Sequence, residues 1–174
     1  MYLVTNRGEV ICLDVNGMAN GNDGPFKDEA KYSSAAKDGT PVKIGTQSAD
    51  IIWKYDMRDG DNIGTFPHNV SSCSPVVVGD MLITATSNGV DWSHTNIPAP
   101  NAPSLIALNK KTGELIGEEV SEVSTRVLHA SWSSPAHGKI GDKNGIVWGG
   151  GDGFTYAFDP KTIKDDEGFD VFKE

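Results

Sequence analysis

The sequence predicts an all-β chain built from repeated units of about four short antiparallel strands, and three observations predict it. Apolar and polar residues alternate over short runs, the period of a half-buried strand. Turn formers punctuate those runs, with 20 Gly and 9 Pro among 174 residues. Three stretches also line up with one another: "EVICLDVNG" from Glu9, "SLIALNKKTG" from Ser104 and "FTYAFDPKT" from Phe154. Each has alternating apolar positions, then Asp14, Asn109 or Asp159, then a turn.

The elements around these stretches repeat as well. Upstream lie "MYLVTNRG", "MLITATSNG" and "GIVWGGGDG", each an apolar strand running into a Gly-containing turn. Further upstream, "SSCSPVVVGD" and "SWSSPAHGKIGD" share a Ser-Pro and a Gly-Asp. The unit therefore has four strands, A to D; in the middle copy these fall at 74–78, 81–86, 105–109 and 114–118. The first copy lacks A, and the last stops after C or within a poorly patterned D. Four-stranded units of ~40–50 residues are the signature of a β-propeller. A β-sandwich does not predict the same Ser-Pro, Gly and Asp–turn features at fixed places in every unit. The expected architecture is thus a partial β-propeller of about two and a half four-stranded antiparallel blades, in a single domain over 1–174. The first blade takes 1–16 and 51–56, around a C–D insertion at 17–50 to which any helix is confined. The second takes 71–119, with a B–C insertion at 88–103, and the third, incomplete, takes 131–174. Closed propellers have about four to eight blades. The chain accordingly reads as an internal fragment whose partners are the remaining blades of a longer chain.

The turn motif carries a family resemblance. "ALNKKTG" resembles the Ala-x-Asp-x-x-Thr-Gly core of the pyrroloquinoline-quinone (PQQ) type propeller repeat: Ala107, Thr112 and Gly113 match, and Asn109 stands where Asp is usual. "AFDPKT" matches at Ala157, Asp159 and Thr162, and "CLDVNG" at Asp14 and Gly17. The family's Trp, which closes a repeat and wedges between blades, has an equivalent in Trp53; the middle copy has Gly117 there. The resemblance implies a binding or scaffold propeller, periplasmic or extracellular in its full form. The alternative it implies is part of a quinoprotein dehydrogenase, with PQQ and calcium taking a hydride from an alcohol or sugar. That alternative leads one to look for a vicinal Cys pair, and Cys12 and Cys73 are not adjacent. No Asp base, calcium ligand set or other catalytic residue can be assigned.

Charge and composition narrow the classes. The net charge of −9 provides no basic footprint for nucleic acid or an anionic membrane surface. No apolar run approaches the ~20 residues of a membrane-spanning helix, and "MYLVTNRGEV" enters a strand pattern at once. Two distant cysteines make neither a disulfide framework nor a metal site, and are expected as buried free thiols.

Three loops carry candidate chemistry. "GVDWSHTNIPAPNAPS" packs Asp91, Trp92, His94 and Asn96 together, the composition of a ligand rim, stiffened by Pro98, Pro100 and Pro103. The other reading is a loop packed on itself. "DVNGMANGNDGPFKDE" is rich in oxygen ligands, so either calcium or a solvated loop fits, although Met18 breaks the alternation of an EF-type loop. "GGGDG" lacks the Gly-Lys-Ser/Thr ending of a phosphate loop and reads as a tight turn.

Antiparallel order makes one face special. The D–A and B–C connections emerge at one end of a blade, and the A–B and C–D connections at the other. His68 and His129 sit in the two D–A connections, the latter with Trp132 beside it, and His94 sits in the B–C insertion. All three are expected to share one face, where neutral imidazoles hydrogen-bond a ligand or coordinate a metal, or else cap strands. His137 is expected at an A–B turn on the opposite face. The candidate ligand set is therefore His68, Asp91, Trp92, His94, Asn96, His129 and Trp132.

Overall fold

A computed structural model describes residues 1–32, 40 and 43–174. The chain is all-β, with twelve strands in three open sheets among the described residues. The first sheet has the order β1–β2–β3, from Tyr2–Val4, Glu9–Leu13 and Ile51–Asp56. The second contains β4 (Val76–Val78), β5 (Met81–Ala85), β6 (Leu105–Asn109) and β7 (Leu115–Glu118), each antiparallel to the next. The third is β8 (Ala136–Ile140), β9 (Lys143–Gly149) and β10 (Thr155–Phe158), again antiparallel neighbours.

The pairing registers place the residues of the aligned stretches. Ala107 faces Ile83 across β6 and β5, and Ala157 faces Val147 across β10 and β9. Both alanines therefore sit on the third strand of their sheet. Cys12 pairs with Trp53 and Ala107 with Gly117, so the Trp position of the first unit and the Gly position of the second are structural equivalents.

The chain's end departs from the expected order. Among the described residues no D strand joins β10. Instead β11 (Thr162–Lys164) and β12 (Asp170–Phe172) form a hairpin, and β12 runs parallel to β7, with Val171 opposite Glu118. The second sheet thus has six strands, β11–β12–β7–β6–β5–β4. Gly117 permits this, because a Cβ there would lie 2.6 Å from Thr162 Cγ2 and 3.0 Å from the Asp170 carbonyl. Two smaller expectations are also corrected. A 3-10 turn lies outside the insertion, at Val123–Thr125, in addition to those at Gly17–Ala19 and Glu29–Lys31. His137 lies inside β8, paired with Ile146, rather than in the turn that follows.

The core explains why the alternating pattern fades in the middle copy. Leu82, Ile83, Leu105, Ile106 and Leu108 are fully buried, adjacent positions included, so both faces of the second sheet are covered. One apolar cluster runs through all three sheets, from Val10 and Trp53 to Trp148 and Phe158. The part of the 17–50 insertion within the described residues is tied to the first sheet by the buried Glu9 carboxylate, which accepts a 2.9 Å bond from Tyr32 Oη and lies 3.5 Å from Lys54 Nζ. The strand edges do not close on one another, and among the described residues no helix is long and apolar enough to cross a membrane.

Trp53 joins the first two sheets. Its indole N–H and the Tyr2 hydroxyl both donate to the Lys110 carbonyl, at 3.3 and 2.9 Å, so the first sheet grips the β6–β7 turn of the second. Gly113 closes that turn at φ +78°, and a Cβ there would lie 2.6 Å from Trp53 Cε3. Gly113→Ala should therefore lower stability by about 2–4 kcal/mol, adding the left-handed backbone cost to overpacking against the indole. Denaturant unfolding followed by Trp fluorescence measures this, and a loss within ~0.5 kcal/mol, the range of an ordinary surface substitution, would contradict the proposed contact.

Candidate functional site

Three chain-distant segments are laced together at one end of the sheets. The lead-in to β4, at 66–68, lies on one side of the segment 88–90, and the lead-in to β8, at 129–131, lies on the other. Isolated antiparallel bridges join Pro67 to Asn88 and Gly89 to Ala130. Gly89 N–H donates to the Phe66 carbonyl at 3.0 Å, Val90 N–H to the His129 carbonyl at 2.8 Å, and Ser131 N–H to the Asn88 carbonyl at 3.1 Å. Residue 89 must be glycine, since a Cβ would collide with the His129 carbonyl and sit 2.9 Å from Ala130 Cα.

Next to this lacing His68, His94 and His129 come together, with one ring nitrogen of each within 4.8 Å of the others. Ring centroids are 4.3 Å apart for His68–His129, 4.6 Å for His68–His94 and 4.9 Å for His94–His129. Two indoles flank them. Trp92 lies 5.5 Å from His68, and Trp132 lies 5.1 Å from His129, edge to face. Trp132 is held by donating to the Val70 carbonyl at 2.9 Å. Trp92 leans on Phe66 yet remains 64% exposed, so the cluster borders solvent.

His68 is the anchor. It is 1% exposed, and its Nδ1 lies 2.8 Å from the Val90 carbonyl. A carbonyl only accepts, so Nδ1 carries the proton and Nε2 presents a lone pair. That Nε2 is buried without a hydrogen-bond partner. An unpaired buried polar atom costs about 1–3 kcal/mol, which makes it a feature that calls for a ligand.

His94 is presented differently. It sits at φ +60° on a turn organised by Asp91. Asp91 Oδ1 accepts from Ser93 Oγ at 2.6 Å and from the Ser93, Thr95 and Asn96 amides, while Oδ2 accepts from Asn96 Nδ2 at 2.8 Å. These hydrogen bonds, led by Ser93 and Asn96, hold the Asp91 carboxyl well below the usual carboxylate range. Of the seven residues the sequence singles out, then, five meet at the cluster: His68, Trp92, His94, His129 and Trp132. Asp91 and Asn96 form the frame of the loop that carries Trp92 and His94. Sequence reasoning missed Asn88, Gly89 and Val90, because "SNG" reads as a simple strand-ending turn. Asn88 is fully buried, and its side chain accepts from Phe66 N–H at 2.8 Å while donating to the Ala99 carbonyl at 2.8 Å and to Ser124 Oγ at 3.0 Å.

The other candidate loops have internal uses. In 14–29, Asp14 accepts from Asn16 N–H, Asn22 Nδ2 donates to Glu29, and the Lys27 ammonium binds the Asn22 side-chain oxygen, so these oxygens face donors of their own loop. The 149–153 turn connects β9 to β10, where Asp152 binds Arg126 Nε at 3.1 Å and Tyr156 Oη at 2.6 Å. Cys73 is buried and bonded to Thr84 and the Ala85 carbonyl, Cys12 is half-buried, and both are free thiols. No protein-family description, curated protein or solved structure matches the chain.

Desolvation first, then the adjacent His68 and His94, push the His129 pKa below its ordinary 6.5. Folding therefore favours its neutral form. Between 6.5 and the lowered value the unfolded chain binds a proton that the folded one does not, so this contribution to stability is present above pH 6.5 and is lost as pH falls through the lowered value. Imidazole NMR titration should place the His129 midpoint below 6.5, and His94→Ala should move it back upward. A midpoint at or above the ordinary value would contradict this ordering.

Proposed function

We propose that the chain is a binding or scaffold module of the PQQ-like repeat propeller kind, acting in the periplasm or outside the cell, with its ligand site on the His–Trp face. The observation that carries the reading is His68: its ring lies among two further imidazoles and two indoles, all delivered by loops, and its Nε2 is buried without a partner. A cluster that serves only to cap strands has no reason to leave that nitrogen bare. The repeated Asp/Asn–turn motif and the antiparallel units support the propeller element of the reading. The open strand edges suit pairing with further blades.

The donor set does not suit the dehydrogenase alternative. Calcium takes six to eight oxygen ligands; this site offers imidazole nitrogens, and the Asp91 carboxylate of the adjoining turn is committed to that turn. No step through a quinone or calcium is therefore assigned to these residues.

The test uses the four indole N–H signals of the protein, one from each Trp. Planar aromatic compounds, PQQ with and without calcium among them, are added while these signals are followed by NMR. The site reading expects the Trp92 and Trp132 signals to move and those of Trp53 and Trp148 to stay, with the response lost in His129→Ala. Binding that leaves Trp92 and Trp132 unmoved, or that survives the substitution intact, would place the ligand elsewhere.

A further inference from the structure

Resting on that reading of the face, we propose that its ligand is a divalent transition-metal ion of the zinc class, held by His68, His94 and His129 with a fourth coordination position open to solvent. Three arguments converge on it.

The first is distance. Zinc bound to imidazole at about 2.0–2.1 Å in tetrahedral geometry holds its nitrogens ~3.4 Å apart. The three nitrogens are already within 4.8 Å of one another. The remaining contraction falls to His94, the one exposed member, whose turn makes no bridge to the lacing described above.

The second is preparation of the ligand. Metal-bound histidines commonly donate their other ring N–H to a carbonyl or carboxylate, which fixes the tautomer and the ring orientation. His68 does this toward Val90, and its Nε2 is left desolvated and unpaired. The Val90 N–H also donates to the His129 backbone carbonyl, so one residue is tied both to the His68 ring and to the segment that carries His129.

The third is chemistry. The set is all nitrogen, which suits zinc, copper or nickel rather than calcium or magnesium. Among the described residues no fourth His, Cys, Asp or Glu joins it. A structural zinc site closes with four protein ligands, whereas three ligands leave a position for water or a second molecule. Trp92 lies beside His68 and Trp132 beside His129, where they would contact such a molecule.

The experiment is calorimetric titration of tag-free protein with Zn2+, with Ca2+ as the control ion, and histidine-ring NMR in parallel. One zinc per chain is expected, no heat with calcium, and shifted ring signals for His68, His94 and His129 while His137 stays. His94→Ala and His129→Ala should each weaken binding by more than about 100-fold, beyond the 10–100-fold range of outer-shell substitutions, and His137→Ala should match the parent. His68 is buried, so the two more accessible positions carry the test without dependence on a refolded core. Absence of zinc binding overturns the proposal, as does binding that both substitutions leave unchanged or that shifts His137 equally. If zinc fails while planar compounds still move the Trp92 and Trp132 indoles, the metal assignment falls and the ligand face stands. Silence in both arms removes both.

Discussion

The site depends on the hydrogen bonds made by Asn88, Gly89 and Val90. This short segment leaves β5 and runs into the long loop, and it is paired on both sides at once. Backbone groups leaving a strand must find partners when they are buried, and here they find them in the two lead-in segments that carry His68 and His129. The Asn88 side chain extends the same junction to Ala99 and Ser124, so the far part of the loop and the 3-10 turn at Val123–Thr125 are fixed by the same residue. Because Asn88 is fully buried, losing its amide would strand several donors and acceptors together.

The three histidines are consequently held with different firmness. His68 and His129 belong to the laced backbone. His94 belongs to a turn whose order comes from one carboxylate, Asp91, satisfied five times over by its own neighbours. The turn is internally ordered yet linked to the rest mainly through ring contacts of Trp92 and His94. Two positions on the laced backbone and a third on a self-contained turn therefore make up the cluster.

Much of this was legible in the sequence, for a geometric reason. Antiparallel strands alternate ends, so the connections that share an end follow from strand order alone. That is why strand order groups His68, His94 and His129, although 61 residues separate the first from the last. The registers of Ala107, Ala157, Trp53 and Gly117 followed from local motifs that repeat. What the sequence hid was long-range and polar. "TIKDDEGFDVF" reads as at most a poorly patterned D strand, and nothing in it reveals a hairpin with a parallel partner as distant as β7. Nor does "SNG" show that its Asn is buried, because the same dipeptide serves any exposed turn. Asp91 and Asn96 looked like ligand groups for the same reason that they make good turn frames: both roles need short side chains rich in hydrogen-bonding atoms.

The position of the cluster has a consequence for the fold as a whole. His68 precedes the edge strand β4 of the second sheet, and His129 precedes the edge strand β8 of the third. Between the edges themselves the ties are few: Ser74 N–H donates to Ser134 Oγ at 2.8 Å, and β8 is exposed along its whole length. At this end the lacing at 88–90 and the Trp132 hydrogen bond to the Val70 carbonyl tie the segments that lead into these two strands. Anything that binds both His68 and His129 binds the junction, and by mass action it stabilises the arrangement in which the two sheets meet. The apolar core fixes each sheet on its neighbour through area, without direction. Hydrogen bonds add direction, and the lacing at 88–90 supplies them between the segments that carry His68 and His129.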